Sequence, residues 1–275
     1  MNILLAQLPI ADAQVDINLS NMLSMIRNAP IDTDLIVFPE TTLSGFPTKD
    51  EIGTVGLTTR GKPIRLIQEA ARNSNTAIAF GFCEVADGRA YNTAMLVDGS
   101  GRIALKYRKT HLWPDTDWGV FDAGSQYSVC EIASLRVGVL ICYDIEFPET
   151  ARSLAQLDAD LILVLDGNMN PYGPVHRRAV ISRAMENQCF AVLVNRIGEG
   201  KGLSFPGESV AVDPFGNVLV ESIDGHPVRA TLERGLIEES RKNYRYLRDR
   251  RTTPLGIERA TSEDGVVNTV SVIPG

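Results

Sequence analysis

The chain has 275 residues, 44% hydrophobic and 22% charged, the balance of a globular protein with a sizeable core. Its net charge of -7 disfavours binding to nucleic acid or to anionic membrane. No apolar run approaches the about 20 residues that span a bilayer, and the opening MNILLAQLPIADAQVD lacks a basic leader, so it reads as a first strand.

The elements follow in chain order. Leu19, Met22, Leu23 and Ile26 recur at helical spacing within Asn18 to Asn28. DLIVF (34–38) is a short apolar strand that stops at Pro39-Glu40. A Gly/Thr-rich stretch without periodicity runs from Leu43 to Lys62, and a loop of that length is functional more often than structural. Pro63 opens a helix with Ile64, Ile67 and Ala71 on one face. TAIAFGF, AYNTAMLV and IALKYRK read as strands, the last two joined at Asp98-Gly99-Ser100-Gly101. SVCEI and RVGVLIC follow, then a helix from Pro148, the strand DLILVL, the helix PVHRRAVISRAMENQ and the strand FAVLVNR. ESVAVDPFGNVLVES is a hairpin turned at Asp213 to Asn217. The basic RKNYRYLRDRR (241–251) reads as a solvated segment, and VVNTVSVI (266–273) as a strand without a visible partner, one that a second subunit would supply. Buried parallel-type strands alternating with helices, mixed with hairpins, imply an α/β chain with one mixed sheet or two, covered by helices.

Cys83, Cys130, Cys142 and Cys189 are widely spaced, and His111, His176 and His226 form no i, i+4 pair. No metal is expected from such a set. Sparse cysteines suit reduced thiols in the cytoplasm.

In α/β folds chemistry gathers beyond the carboxyl ends of strands. Three polar residues end strands here: Glu40, Lys109 and Cys142. A proton acceptor, a fixed positive charge and a thiol are the parts that acyl transfer through a thioester needs. A free thiol, with a pKa near 8.5, needs a base at neutral pH, and the oxyanion formed on attack needs preorganised donors, for which Lys109 and the N–H of Tyr143 are candidates. Each residue also has an ordinary reading: Cys142 as packed core, Glu40 as a turn residue, Lys109 as a solvated edge charge.

IVFPET, YRKTHLW and ICYDIEFPE together resemble the three signature blocks of the nitrilase superfamily, the carbon–nitrogen hydrolases, in order and approximate spacing. The similarity runs from AQLP through FDAG, SRAMENQCFAVLVNRIG and DPFGNVL, over residues 1 to 225. The resemblance implies one α-β-β-α sandwich domain over 1–275, two facing mixed sheets between helices, with a tail from about 253 that contacts a second subunit. It implies a homodimer or higher homo-oligomer paired through helices, and no metal or organic cofactor. It implies Cys142 as nucleophile, Glu40 as general base and Lys109 as oxyanion stabiliser, releasing ammonia or an amine from a small-molecule amide, with no nucleic acid or membrane partner. The fourth acid of amidase-like members falls on Asp117, an aspartate where they carry glutamate; its carboxylate sits about 1.5 Å back unless the loop compensates, and Asp115 is a second candidate. Cys-Tyr-Asp at 142–144 is closer to amidases than the Cys-Trp-Glu of nitrilases proper.

Trp113 and Trp118 flank Asp117 and are candidate pocket walls, as are Asn168 and Met169 beyond DLILVLDG; Phe46 could close over them. His111, Arg183, Glu186 and Asn187 read as supports. Which of Arg177, Arg178 and Arg183 faces the pocket, and hence the charge of the substrate, stays open. Carbamoyl hydrolase, nitrilase, a Cys-His hydrolase built on His111 or His176, and a non-catalytic binding protein are the competing readings.

Overall fold

The computed structural model describes residues 1–251 and the strands Leu255–Ser262 and Gly265–Val272. The chain opens with β1 (Asn2–Leu5), α1 (Val15–Asn28) and β2 (Leu35–Val37). The stretch expected to be a loop holds a 3₁₀ turn at Lys49–Glu51 and the one-turn α2 (Ile52–Val55). Then come α3 (Lys62–Ser74), β3 (Ala77–Ala86), β4 (Arg89–Val97) and β5 (Ile103–Arg108). A second series follows: β6 (Val129–Ile132), β7 (Leu135–Ile141), α4 (Pro148–Gln156), β8 (Leu161–Asp166), α5 (Gly173–Asn187) and β9 (Phe190–Asn195). β10 (Ile197–Gly200) and β11 (Leu203–Pro206) form a hairpin of their own. β12 (Val210–Val212) and β13 (Val218–Glu221) extend the second series, while β14 (Val228–Thr231) returns to pair with β1. Two short helices, α6 (Gly235–Ser240) and α7 (Tyr246–Asp249), precede the hairpin of β15 (Leu255–Ser262) and β16 (Gly265–Val272).

Two six-stranded mixed sheets result, ordered β14-β1-β2-β3-β4-β5 and β13-β12-β9-β8-β7-β6. In each, three successive strands run parallel, β1-β2-β3 and β7-β8-β9. The two-residue period of a strand explains the layering. Ile3, Leu5, Leu35 and Val37 pack with Val139, Ile141, Leu163 and Leu165 of the second sheet. Their neighbours Leu4, Ile36 and Phe38 point outward onto Leu19, Met22 and Ile26 of α1 and Ile64 and Ile67 of α3. Because both faces of the central strands are covered, they read as unbroken apolar runs. On the far side, α4 and α5 cover the second sheet through Ala151, Leu154, Val180 and Ala184. The architecture is the α-β-β-α sandwich.

The strand expected at 266–273 does have a partner in the chain: β16 pairs antiparallel with β15, from Leu255↔Val272 to Ser262↔Gly265. The side chains of this hairpin, and the contact with a second subunit expected of them, lie outside the described residues. Among the described residues no helix is long and apolar enough to cross a membrane.

Candidate active site

Glu40, Lys109 and Cys142 meet between the carboxyl ends of the two sheets. Glu40 stands two residues past Phe38, and its N–H donates to the carbonyl of Asp166 at the end of β8 (3.2 Å), which ties the first sheet to the second. Gly81 of β3 lets the Glu40–Thr41 backbone lie close against its own sheet: a Cβ there would lie 2.3 Å from the backbone nitrogen of Thr41. Lys109, one residue past β5, donates from Nζ to Glu40 Oε1 (2.8 Å) and to Asp117 Oδ2 (2.6 Å). Asn92 also donates to Glu40 Oε1 (2.7 Å), whereas Glu40 Oε2 is buried without a partner. Cys142 leaves β7 with φ +46° and starts a 3₁₀ turn. A left-handed conformation is costly for a residue with a side chain and concentrates at functional sites.

Asp144 secures that turn. Its buried carboxylate receives the N–H groups of Ile141 (3.1 Å) and His111 (2.9 Å) and the hydroxyls of Tyr107 (2.7 Å) and Thr110 (2.9 Å). The Lys109 segment and the Cys142 turn are thus held by one side chain. His111 is a support in this sense, its ring stacked on Phe147 at 4.0 Å.

A narrow cavity is lined by Glu40, Lys109 and Cys142 together with Phe46, Trp113, Tyr143, Asn168 and Met169. Asp117 is fully buried behind Lys109, with its Oδ2 also receiving the N–H of Trp113 (2.8 Å), while Asp115 is exposed. The loop therefore makes up for the missing methylene. Trp118 is not brought to the cavity. It is 66% exposed, and its indole N–H donates to the carbonyl of Leu112 (3.0 Å), because the turn around Asp117 sends Asp117 inward and its neighbour outward.

Burial sets the electrostatics. It pushes the Glu40 carboxyl up to about 6, opposed by Lys109 and reinforced by Asp117. It also drives the Cys142 thiol well above its usual pKa, with the Glu40 charge adding to the effect. Burial alone would discharge Lys109, but Asp117 and Glu40 outweigh it and hold the ammonium well above its ordinary value. At neutral pH the cluster is a neutral thiol beside an ammonium that the Glu40 carboxylate and Asp117 hold.

A second cluster was not foreseen from the sequence. His176, on the first turns of α5, is buried between Asp166 (Nδ1–Oδ1 3.0 Å) and Glu146 (Nε2–Oε1 3.1 Å). Burial lowers its pKa, but the two carboxylates prevail and raise it to about 9, so the ring is an imidazolium. Donor atoms of Cys142, Asp166 and His176 lie within 4.8 Å of one another, close enough to hold a soft cation if the ring gave up a proton. The one signal in the sequence was Asp166 itself, an acid at the end of an apolar strand. Arg196 was missed as well. Fully buried, it pairs with Asp12 (3.1 Å) and lies over the ring of Phe205 (4.2 Å), while Asp12 receives the N–H of Phe46 (3.1 Å). This brace seats Phe46 against the cavity.

Comparison with known proteins finds relatives of the same fold. A relative from Pseudomonas sp., an (R)-stereoselective amidase, is 47% identical over 268 residues, 96% of each chain. A structure of a carbon–nitrogen hydrolase superfamily protein from Xanthomonas campestris, with an arsenic adduct in its active site, superposes with a TM-score of 0.86 at 24% identity, covering 93% of this chain and 99% of that one. A mutant of the amidase from Nesterenkonia sp. AN1, with the acetamide moiety of fluoroacetamide added to its active-site cysteine, superposes with a TM-score of 0.81 at 25% identity, covering 91% and 94%. The family model for carbon–nitrogen hydrolases matches residues 3–242, and on that extent the chain belongs to the carbon–nitrogen hydrolase family.

Proposed function

We propose that this enzyme is an amidase that hydrolyses a small carboxamide through a thioester on Cys142. The observation that carries the reading is the division of labour on Glu40. One oxygen is held by Lys109 and Asn92, and the other is buried, unpartnered and in the cavity of the Cys142 thiol. A carboxylate raised to about 6 is still ionised at neutral pH, yet basic enough to take a proton.

Glu40 accepts the thiol proton as Cys142 Sγ bonds to the amide carbon. An ammonium has three N–H groups, and Lys109 commits two to Glu40 and Asp117. The third, with the N–H of Tyr143, receives the oxyanion. As the C–N bond breaks, Glu40 returns its proton to the departing ammonia or amine. It then deprotonates the water that attacks the thioester, and the Cys142 sulfur leaves and recovers that proton from Glu40. Asp117 fixes the direction of the Lys109 ammonium. Trp113, Asn168 and Met169 contact the substrate.

A Cys-His mechanism fits less well. His111 pairs through Nδ1 with Asp144 and does not line the cavity, and both ring nitrogens of His176 lie against carboxylates, so neither ring is placed to take the thiol proton. Four free cysteines support a reducing, cytoplasmic setting, and a homodimer paired through helices remains part of the reading, tested by light scattering.

The deciding experiment is ammonia release by wild type and Cys142→Ala from carboxamides, N-carbamoyl compounds and nitriles. Cys142-dependent release from carboxamides is expected. Release confined to carbamoyl compounds or nitriles would overturn the amidase branch, and release that survives Cys142→Ala would overturn the nucleophile.

A further inference from the structure

The charge of the substrate, open in the sequence, is written in the cavity wall. Among the described residues, none of the arginines that might have received a carboxylate lines it. Arg177 is bidentate to Glu221 (2.7 and 2.9 Å), Arg178 is exposed, and Arg183 donates to the carbonyls of Ile145 (3.2 Å) and Glu146 (3.0 Å). The cations of the wall are Lys109 and His176, and each is flanked by two carboxylates, Glu40 with Asp117 and Asp166 with Glu146. Each cluster therefore carries one surplus negative charge.

Of these four acids, Glu146 is the one that reaches solvent in the cavity. Its side chain is 30% exposed, against 0 or 1% for the other three. Its Oε1 is held by His176, which fixes the carboxylate one imidazole ring away from Cys142. Two further groups of residues lining the same cavity are buried and unpartnered: Glu40 Oε2, used in the chemistry, and the amide donor Asn168 Nδ2.

We infer that Glu146, oriented by the His176 bridge to Asp166, selects carboxamides that carry an ammonium group a few bonds from the amide carbon. Aromatic walls favour that selection, since Trp113, Tyr143 and Tyr172 line the same cavity, their rings packed edge-to-face on one another, and aromatic rings attract a cation. A carboxylate-bearing amide meets two clusters of its own sign. The inference rests on the amidase reading and adds the substrate class to it.

The test is kcat/KM for three amides of similar size, alaninamide, propanamide and succinamate, with 3-aminopropanamide and 4-aminobutanamide to vary the reach of the ammonium. Measurements are made on wild type, Glu146→Gln and Glu146→Asp. Wild type is expected to prefer at least one amino amide over propanamide by about tenfold or more, with succinamate slowest. In Glu146→Gln the ratio of that amino amide to propanamide falls by a similar factor, and in Glu146→Asp it is largely kept. Because the ratio is taken within one variant, a loss of folded protein does not move it. Should Glu146→Gln be inactive on every amide, the wild-type ranking alone decides. Wild type preferring propanamide or succinamate, or a ratio unmoved in Glu146→Gln, would overturn the inference while leaving the amidase reading intact. No Cys142-dependent release from any of the five amides would instead sink the amidase reading itself.

Discussion

Two glutamates of the first sheet, Glu40 and Glu84, are both buried and both bound to a lysine of the β5 segment, yet their protons behave oppositely. They are served by adjacent residues on opposite faces of the same strands. Asn92 donates to Glu40 and Thr93 to Glu84; Lys109 pairs with Glu40, and Arg108 and Lys106 with Glu84. Glu84 has a donor for every direction: Thr93 (2.7 Å), Lys106 (2.7 Å) and two nitrogens of Arg108 (2.8 and 2.9 Å). Burial raises its pKa, but these donors outweigh that and pull it down to about 2. Glu40 shares its one cation with Asp117, leaves an oxygen unpartnered, and goes up to about 6. The contrast separates an ion pair that closes a sheet edge from one left incomplete so that a proton can move. Cation proximity does not distinguish them; the count of satisfied oxygens does.

The comparison breaks most sharply under the same isosteric change at both sites. Glu40→Gln is expected to lower kcat by about 10²- to 10⁴-fold, the loss of a general base, with Tm unchanged or higher, because a desolvated charge is removed. Glu84→Gln is expected to keep kcat/KM within about a factor of two. It should lose about 1–3 kcal/mol of unfolding free energy, since Arg108 and Lys106 lose a charged partner. Steady-state kinetics and chemical denaturation on the two proteins check this, and a large kinetic loss in Glu84→Gln would erase the distinction.

A finer test lengthens the other acid on Lys109. Asp117 is fully buried and already 2.6 Å from the ammonium, so Asp117→Glu adds a methylene where the loop has closed around its absence. A fall in kcat of about 10- to 100-fold is expected, with KM little changed, because the displaced group is Lys109, which serves the oxyanion, and not Trp113, Asn168 or Met169, which hold the substrate. An equal or faster enzyme would mean that the aspartate is a defect the loop does not repair.

Much of this was legible in the sequence, and the limits have physical causes. Glu40, Lys109 and Cys142 each end a strand, and strand ends are where α/β folds gather their chemistry. The period of the runs could not decide between one sheet and two, since strands buried on both faces carry no alternation. The pair β10 and β11 was missed because IGEG has neither an apolar run nor β-branched density. β15 was missed because LGIERATS puts two charges at its centre. Asp166, His176 and Glu146 form their cluster across separations of 10 and 30 residues, which no local pattern encodes. Trp118 was misjudged because adjacency to an acid says nothing about which side of a turn a ring takes.

The smallest effect is the most specific to the pairing of the two glutamates. kcat/KM reports the free enzyme, so it should rise with pH through a single ionisation near 6, where Glu40 becomes able to accept a proton. The same groups move stability in opposite senses. Between about 4.5 and 6 the folded state keeps the Glu40 proton that the unfolded chain releases, so this residue's contribution to stability falls as pH rises across that window. Glu84 is the reverse: its contribution is full above about 4.5 and is lost as pH falls towards 2. Wild type, Glu40→Gln and Glu84→Gln, each followed by denaturant unfolding from pH 3 to 8, should then differ in slope as well as in height. Glu84→Gln flattens the acid side, and Glu40→Gln removes the decline between 4.5 and 6. An acid limb in kcat/KM at the ordinary carboxylate pKa, or a stability profile that Glu40→Gln leaves unchanged, would show that the unpartnered oxygen finds a donor in solution, and that the two glutamates are alike after all.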